Sequence, residues 1–148
     1  MKFENLRVDK IKTVVKYKPD ISTWEASDRK DHIIGIIISG VTYHDFGYKN
    51  LDLAPDYIYF FNQKDDYVAR TESPGYCYSI HFTSTEPIET PSFCKKTKNP
   101  EEIIKHIGEI ERLWLKRSES ELSMLASFYS LCHSLFKLYT SPYNPKDA

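Results

Sequence analysis

Five stretches decide the fold: HIIGIII (residues 32–38), VTYHDFGY (41–48), YIYFF (57–61), YVART (67–71) and YCYSIHF (76–82). Each is short and apolar or alternating. Between them stand Ser39-Gly40, Lys49-Asn50, Ala54-Pro55-Asp56, the polar run 62–66 and Ser73-Pro74-Gly75. Short strands cut regularly by turn residues predict a sandwich or barrel and not alternating β-α units. The run 32–38 is too apolar for simple alternation, so both faces of that strand are expected to be covered. Residues 76–82 sort by parity. Tyr76, Tyr78, Ile80 and Phe82 share one face, and Cys77, Ser79 and His81 share the other. The bulky set is packing material. The small polar set suits solvent or the lumen of a ligand-holding barrel.

Before this run, residues 1–30 are polar, with one strand predicted at 11–17 and ended by Pro19-Asp20. Trp24 stands alone there, either as a plug at a barrel mouth or as a ligand contact. After it comes a polar, Pro-punctuated connector at 83–98. Asn99-Pro100-Glu101-Glu102 then starts a helix: Asn99 caps, Pro100 fits the first helical position, and the two acids favour the positive end of the dipole. Ile103, Ile104, Ile107, Ile110, Leu113 and Trp114 give it one apolar stripe. Ser118-Glu119-Ser120-Glu121 fits a capping box for a second helix. Its stripe runs through Leu122, Leu125, Ala126, Tyr129, Cys132, Phe136 and Tyr139, and Phe128, Leu131, Leu135 and Leu138 widen it. A helix this apolar needs more than one partner, and a second copy of the chain is one candidate. Ser141-Pro142 and the residues up to Pro145 stop the helix and read as a linker.

With 148 residues the chain is one domain's worth. Twenty Lys and Arg against 21 Asp and Glu leave no global field for nucleic acid or anionic membrane. Three cysteines, Cys77, Cys94 and Cys132, share no metal-like spacing and read as reduced thiols of a cytoplasmic protein. The first ten residues lack the apolar run of a signal peptide, and no window reaches the length of a membrane span. There is no glycine-rich phosphate loop, nucleophile elbow or HExxH motif. His32, His44, His81, His106 and His133 are scattered, so no metal is expected. Asp65 and Asp66 read as a solvated loop. Cys77 and His81 lie about 13 Å apart at strand rise, too far for a nucleophile and its base. No catalytic residue, enzyme activity or cofactor is expected.

Leu53-Ala54-Pro55-Asp56-Tyr57-Ile58-Tyr59-Phe60-Phe61 resembles the turn-strand of the cupin-like sensor domains of AraC/XylS transcription regulators. Gly40 stands where those domains close their first long strand, and residues 73–82 look like their last. The similarity runs from Trp24 to Tyr139, and the order of the motifs carries it. Asp56 departs from the glycine usual at that turn.

The resemblance implies a mainly β fold with C-terminal α: a cupin-like, double-stranded β-helix barrel over residues 1–98 and a helical pair over 99–140. Residues 141–148 would lead to a helix-turn-helix DNA-binding half that is not in this sequence. It further implies a small-molecule effector, a sugar among the candidates, and a homodimer that meets DNA only through the missing half. A cupin-like enzyme or a carbohydrate-binding module is the alternative. The implied ligand contacts are Trp24, Glu25, Tyr43, Tyr67, Cys77, Ser79 and His81. The implied dimer contacts are Leu122, Leu125, Tyr129, Cys132 and Phe136.

Overall fold

In the computed structural model, which describes residues 1–19 and 22–142, two antiparallel sheets face one another and two helices cover one of them. The strands are β1 (Val8–Tyr17), β2 (Thr23–Ala26), β3 (His32–Ile37), β4 (Val41–Asp45), β5 (Asn50–Leu53), β6 (Tyr57–Phe61), β7 (Tyr67–Ser73), β8 (Cys77–Ser84) and β9 (Phe93–Lys96). The helices are α1 (Pro100–Leu115) and α2 (Arg117–Thr140). One sheet has the order β1-β8-β3-β6-β9 and the other β2-β7-β4-β5. Among the described residues no ladder joins them, so the expected barrel is instead an open pair of sheets.

The five-stranded sheet is buried on both faces, which explains the unbroken apolar run of β3. Ile34, Ile36, Ile58, Phe60, Tyr78, Ile80 and Phe82 pack towards the helices with Ile107, Ile110, Phe128, Leu131 and Leu135. The alternate residues Ile33, Ile37, Tyr59, Phe61 and Cys77 pack towards the second sheet against Phe46, Leu53, Tyr67 and Ala69. The parity predicted for β8 therefore holds from Cys77 onward. Tyr76 lies just before the strand and is exposed.

Local chemistry departs from expectation at several points. The first strand starts at Val8, and the connector after Phe82 contains β9, paired with β6 at the sheet edge. β4 stops at Asp45 because residues 46–49 turn: Phe46 N–H donates to the Lys49 carbonyl and Gly47 has φ +85°. Asp65 is no idle surface acid. Its Oδ2 accepts from the Ser92 backbone and hydroxyl and from the Tyr48 hydroxyl, pinning two loops together. Asn99 precedes α1 without a side-chain capping bond. The capping box does not form either. Ser120 has non-helical angles inside α2, and its hydroxyl donates to the Leu113 and Lys116 carbonyls, fastening the corner between the helices.

α2 also presents a different face from the one expected. Met124, Phe128, Leu131, Cys132 and Leu135 are its buried stripe, so the residues read as a broadening are its centre. Cys132, named for a dimer, is buried in the chain's own core. Tyr129 uses its hydroxyl to accept from Val8 N–H, and Leu125 and Phe136 pack at the core's border. Leu122 remains open at 86 % exposure. Of the linker, only Ser141 and Pro142 are described; residues 143–148 lie outside the described residues.

At the β5–β6 turn, Tyr57 N–H donates to the Ala54 carbonyl, and Asp56 holds φ +74° in the left-handed region. An L side chain is strained there, though Asp tolerates it better than most. Asp56→Gly is expected to stabilise the protein by about 0.5 kcal/mol, read as a raised urea midpoint. A lowered midpoint would show that the carboxylate contributes more than the strain costs.

Candidate functional site

A slot opens between the two sheets at the end where the β3–β4 and β7–β8 turns meet. Its free space is about 40 Å³. Trp24 on β2, Thr42 and His44 on β4, Tyr59 and Phe61 on β6, and Tyr67 and Thr71 on β7 wall it, with Cys77 at the start of β8. Tyr17 and Tyr76 stand half-exposed at its rim.

The walls follow from strand parity. On β4, Thr42 and His44 face inward while Tyr43 faces out. On β6, Tyr59 and Phe61 face inward while Ile58 and Phe60 serve the helix side. Gly35 lies on the inner face of β3. A Cβ at that position would overlap the Tyr59 hydroxyl and the Tyr78 carbonyl, so the missing side chain is what lets the Tyr59 phenol cross the strand.

The polar groups here mostly satisfy one another. The Tyr59 hydroxyl and Ser79 Oγ are 2.8 Å apart, and Ser79 is fully buried. Ser79 donates to Cys77 Sγ at 3.9 Å, and the Cys77 thiol donates to the Tyr17 carbonyl at 3.7 Å. The Tyr67 ring carries the Arg29 guanidinium 5.3 Å from its centre. Arg29 is itself held by the carbonyls of Asp31, Asn62 and Asp65. Burial pushes the Tyr17, Tyr59 and Tyr67 phenols and the Cys77 thiol upward, so all four are neutral at pH 7. Cys77 is accordingly an inert thiol and not a nucleophile.

His44 is the exception. It is 4 % exposed, its ring packed among those of Trp24, Phe61 and Tyr67. Burial lowers its pKa to about 4, so the imidazole is neutral. A hydrogen bond to the Leu51 carbonyl opposes that shift, yet Nδ1 has no partner.

Of the residues expected at a ligand site, Trp24, Tyr67 and Cys77 line the slot and Ser79 lies behind them, bonded to Tyr59. Glu25 is exposed on β2. Tyr43 lies on the outer face of its sheet, stacked on Arg70 at 4.7 Å. His81 shares the inner face but does not line the slot; its Nδ1 lies 3.5 Å from Asp31 Oδ2. His44 and Tyr59 were not named from the sequence. The signal for His44 was parity with Thr42 across β4, obscured because Val41, Thr42 and Tyr43 do not alternate in polarity.

Among the described residues no group of three metal-ligating side chains comes together, and Cys77, Cys94 and Cys132 form no disulfide with one another. No helix among the described residues is long and apolar enough to cross a membrane. No protein-family model matches the chain, and no curated protein matches it.

Proposed function

We propose that this chain is the effector-binding and dimerisation part of an AraC-type transcription regulator, with the slot between the sheets as its sensor site. The observation that carries the reading is the buried His44 imidazole in an aromatic slot, its Nδ1 without a hydrogen-bond partner. The strand order supports the cupin-like part of the proposal. β1-β8-β3-β6 facing β2-β7-β4-β5 is the pattern of an eight-stranded jelly roll, with β9 added at an edge.

The fold also supplies a route for reporting occupancy. Ser79 stands behind the slot, while its neighbour Tyr78 projects from the other face of β8 and donates to Glu111 on α1 at 2.7 Å. An effector that changes the Tyr59–Ser79 contact acts on the strand that holds α1. It shifts the balance of conformations only by its differential affinity for them. The dimer uses the part of α2 left open, where Leu122 is the most exposed apolar side chain and Leu125, Tyr129 and Phe136 follow along the helix.

Two measurements test this. Sedimentation at micromolar concentration is expected to show a dimer, and Leu122→Glu is expected to weaken it at least about tenfold by placing a charge in the contact. A wild-type monomer overturns the dimer half. The reading frame past Ala148 is expected to run into a basic helix-turn-helix segment. A gene that stops there, yielding a 17.4 kDa protein in cells, overturns the regulator half.

A further inference from the structure

We infer that the slot takes a small hydrocarbon-like molecule of about four non-hydrogen atoms, and neither a sugar nor an ion. This names the ligand class of the sensor site proposed above and rests on that reading.

The free space sets the size. One buried water needs about 10–15 Å³, and a cavity that holds benzene has about 150 Å³. The slot, with about 40 Å³, lies well below the second value. A sugar ring is bulkier than benzene and does not enter. The walls have little room to yield, because their rings already touch: Tyr59 and Phe61 have centroids 4.7 Å apart, and Phe61 and Tyr67 5.2 Å. At the mouth, the turns carrying Gly40 and Gly75 leave no space between them for a single added methyl group.

The lining sets the chemistry. Ile33 and Ile37 on β3, Leu53 on β5 and Phe61 on β6 offer a ligand nothing but carbon. His44 adds a neutral ring among those of Trp24, Phe61 and Tyr67, whichever of its nitrogens holds the proton. Several polar groups at the slot are engaged within the chain. The Tyr59 hydroxyl lies 2.8 Å from Ser79 Oγ, the Cys77 thiol donates to the Tyr17 carbonyl, and Ser39 Oγ accepts from Tyr76 N–H. A polar ligand would give up water for groups already in use, whereas an apolar one gains by leaving water.

Charge is excluded more strongly. Among the described residues no Asp, Glu, Lys or Arg lines the slot. Arg29 lies against the Tyr67 ring and is committed to three backbone carbonyls. A carboxylate or an ammonium ion would lose its hydration and meet no counter-charge.

Isobutene, acetamide and acetate share one planar shape and differ in polarity and charge. Benzene keeps the apolar surface and exceeds the space, and D-glucose stands for the sugars. Methyl chemical shifts of the unaltered protein, labelled with 13C-isoleucine, are the readout at neutral pH. Ile33 and Ile37 line the slot, while Ile34 and Ile36 belong to the core on the helix side and serve as the internal control. Isobutene is expected to move the Ile33 and Ile37 methyls saturably, with a Kd of about a millimolar, and to leave Ile34 and Ile36 in place. The other four probes are expected to bind at least about tenfold more weakly. Equal binding of acetamide overturns the hydrocarbon-like class, equal binding of acetate the exclusion of ions, and equal binding of benzene or glucose the size limit. In each of these cases the slot remains a ligand site. Saturation by none of the five, or shifts spread equally over all four isoleucines, overturns the ligand-site reading itself.

Discussion

Lowering the pH from 7 to 4 is expected to cost the protein about 6 kcal/mol of stability, carried chiefly by His32 and His44. Both imidazoles are buried, and burial brings the pKa of each down to about 4 from the ordinary 6.5. For His32 the Arg29 charge adds to that lowering and the Asp31 charge opposes it. Its ring is also fixed in the neutral form, because Nδ1 accepts from Gln63 N–H while Nε2 lies 3.1 Å from the Ser84 hydroxyl. Between pH 6.5 and 4 the unfolded chain binds protons at these positions and the folded chain does not. Stability is therefore full above the unfolded value, falls as the pH drops, and stops falling from this source below about 4. A shift of about 2.5 units is worth roughly 3 kcal/mol per residue. Urea unfolding at pH 7, 5.5 and 4.5 measures it. His44→Phe should flatten the slope by about half and, by removing an unsatisfied buried nitrogen, raise stability at pH 7 by about 1 kcal/mol. A wild-type slope no steeper than the variant's would mean that His44 is protonated in the folded state. A gain at neutral pH is also informative about function, since residues kept at a cost to stability mark sites under another demand.

Gly75→Ala is expected to destabilise the protein by about 3 kcal/mol, at the upper end for overpacking. Gly75 does not need a left-handed backbone; its constraint is contact. A Cβ there would overlap the Ser39 carbonyl and the Gly40 nitrogen, all of it backbone that cannot rotate away. From the other side, a Cβ on Gly40 would come within 2.6 Å of the Ser73 carbonyl and 2.7 Å of the Gly75 nitrogen. Tyr76 locks the pair, accepting from Ile38 and Ser39 N–H while its own N–H donates to Ser39 Oγ. These two turns close the end of the sheets at which the slot opens. Prying them apart should also widen it, so Gly75→Ala should bind larger probes than the wild type does. Gly47→Ala is the control. Gly47 has φ +85° with nothing within 4 Å of a Cβ, so only backbone strain of about 1 kcal/mol should appear. Equal losses in the two variants would show that the turn–turn contact is not what holds the end closed.

Much of this architecture can be read from local pattern. The strands of the 32–82 run follow from period-two alternation and from Gly, Pro and Asn at the turns, and the helices from their apolar stripes. The covered state of β3 follows from its composition alone. The parity of β8 correctly separated Tyr78, Ile80 and Phe82 from Cys77, Ser79 and His81. Parity does not say how far along a strand a site extends. Cys77 and His81 share a face, yet Cys77 borders the slot and His81 pairs with Asp31 away from it. Nor does it settle the stripe of α2, where apolar residues occupy so much of the circumference that several faces read alike. The neighbouring α1 and the sheet chose Phe128, Leu131 and Leu135 over Leu122 and Tyr129.

Apart from β2 and β9, which no local pattern announced, the sequence by itself determined the classes of element, their order, and which residues of each strand share a side, because these depend on backbone geometry and on neighbours a few positions away. Only the tertiary structure decided that the strands divide into two open sheets, that Gly40 and Gly75 meet, and that Gly35 makes room for the Tyr59 phenol. It alone also left His44 Nδ1 buried without a partner. Whether a polar atom is satisfied depends on every group around it. Those around His44 come from β2, β5, β6 and β7, segments brought together only by folding.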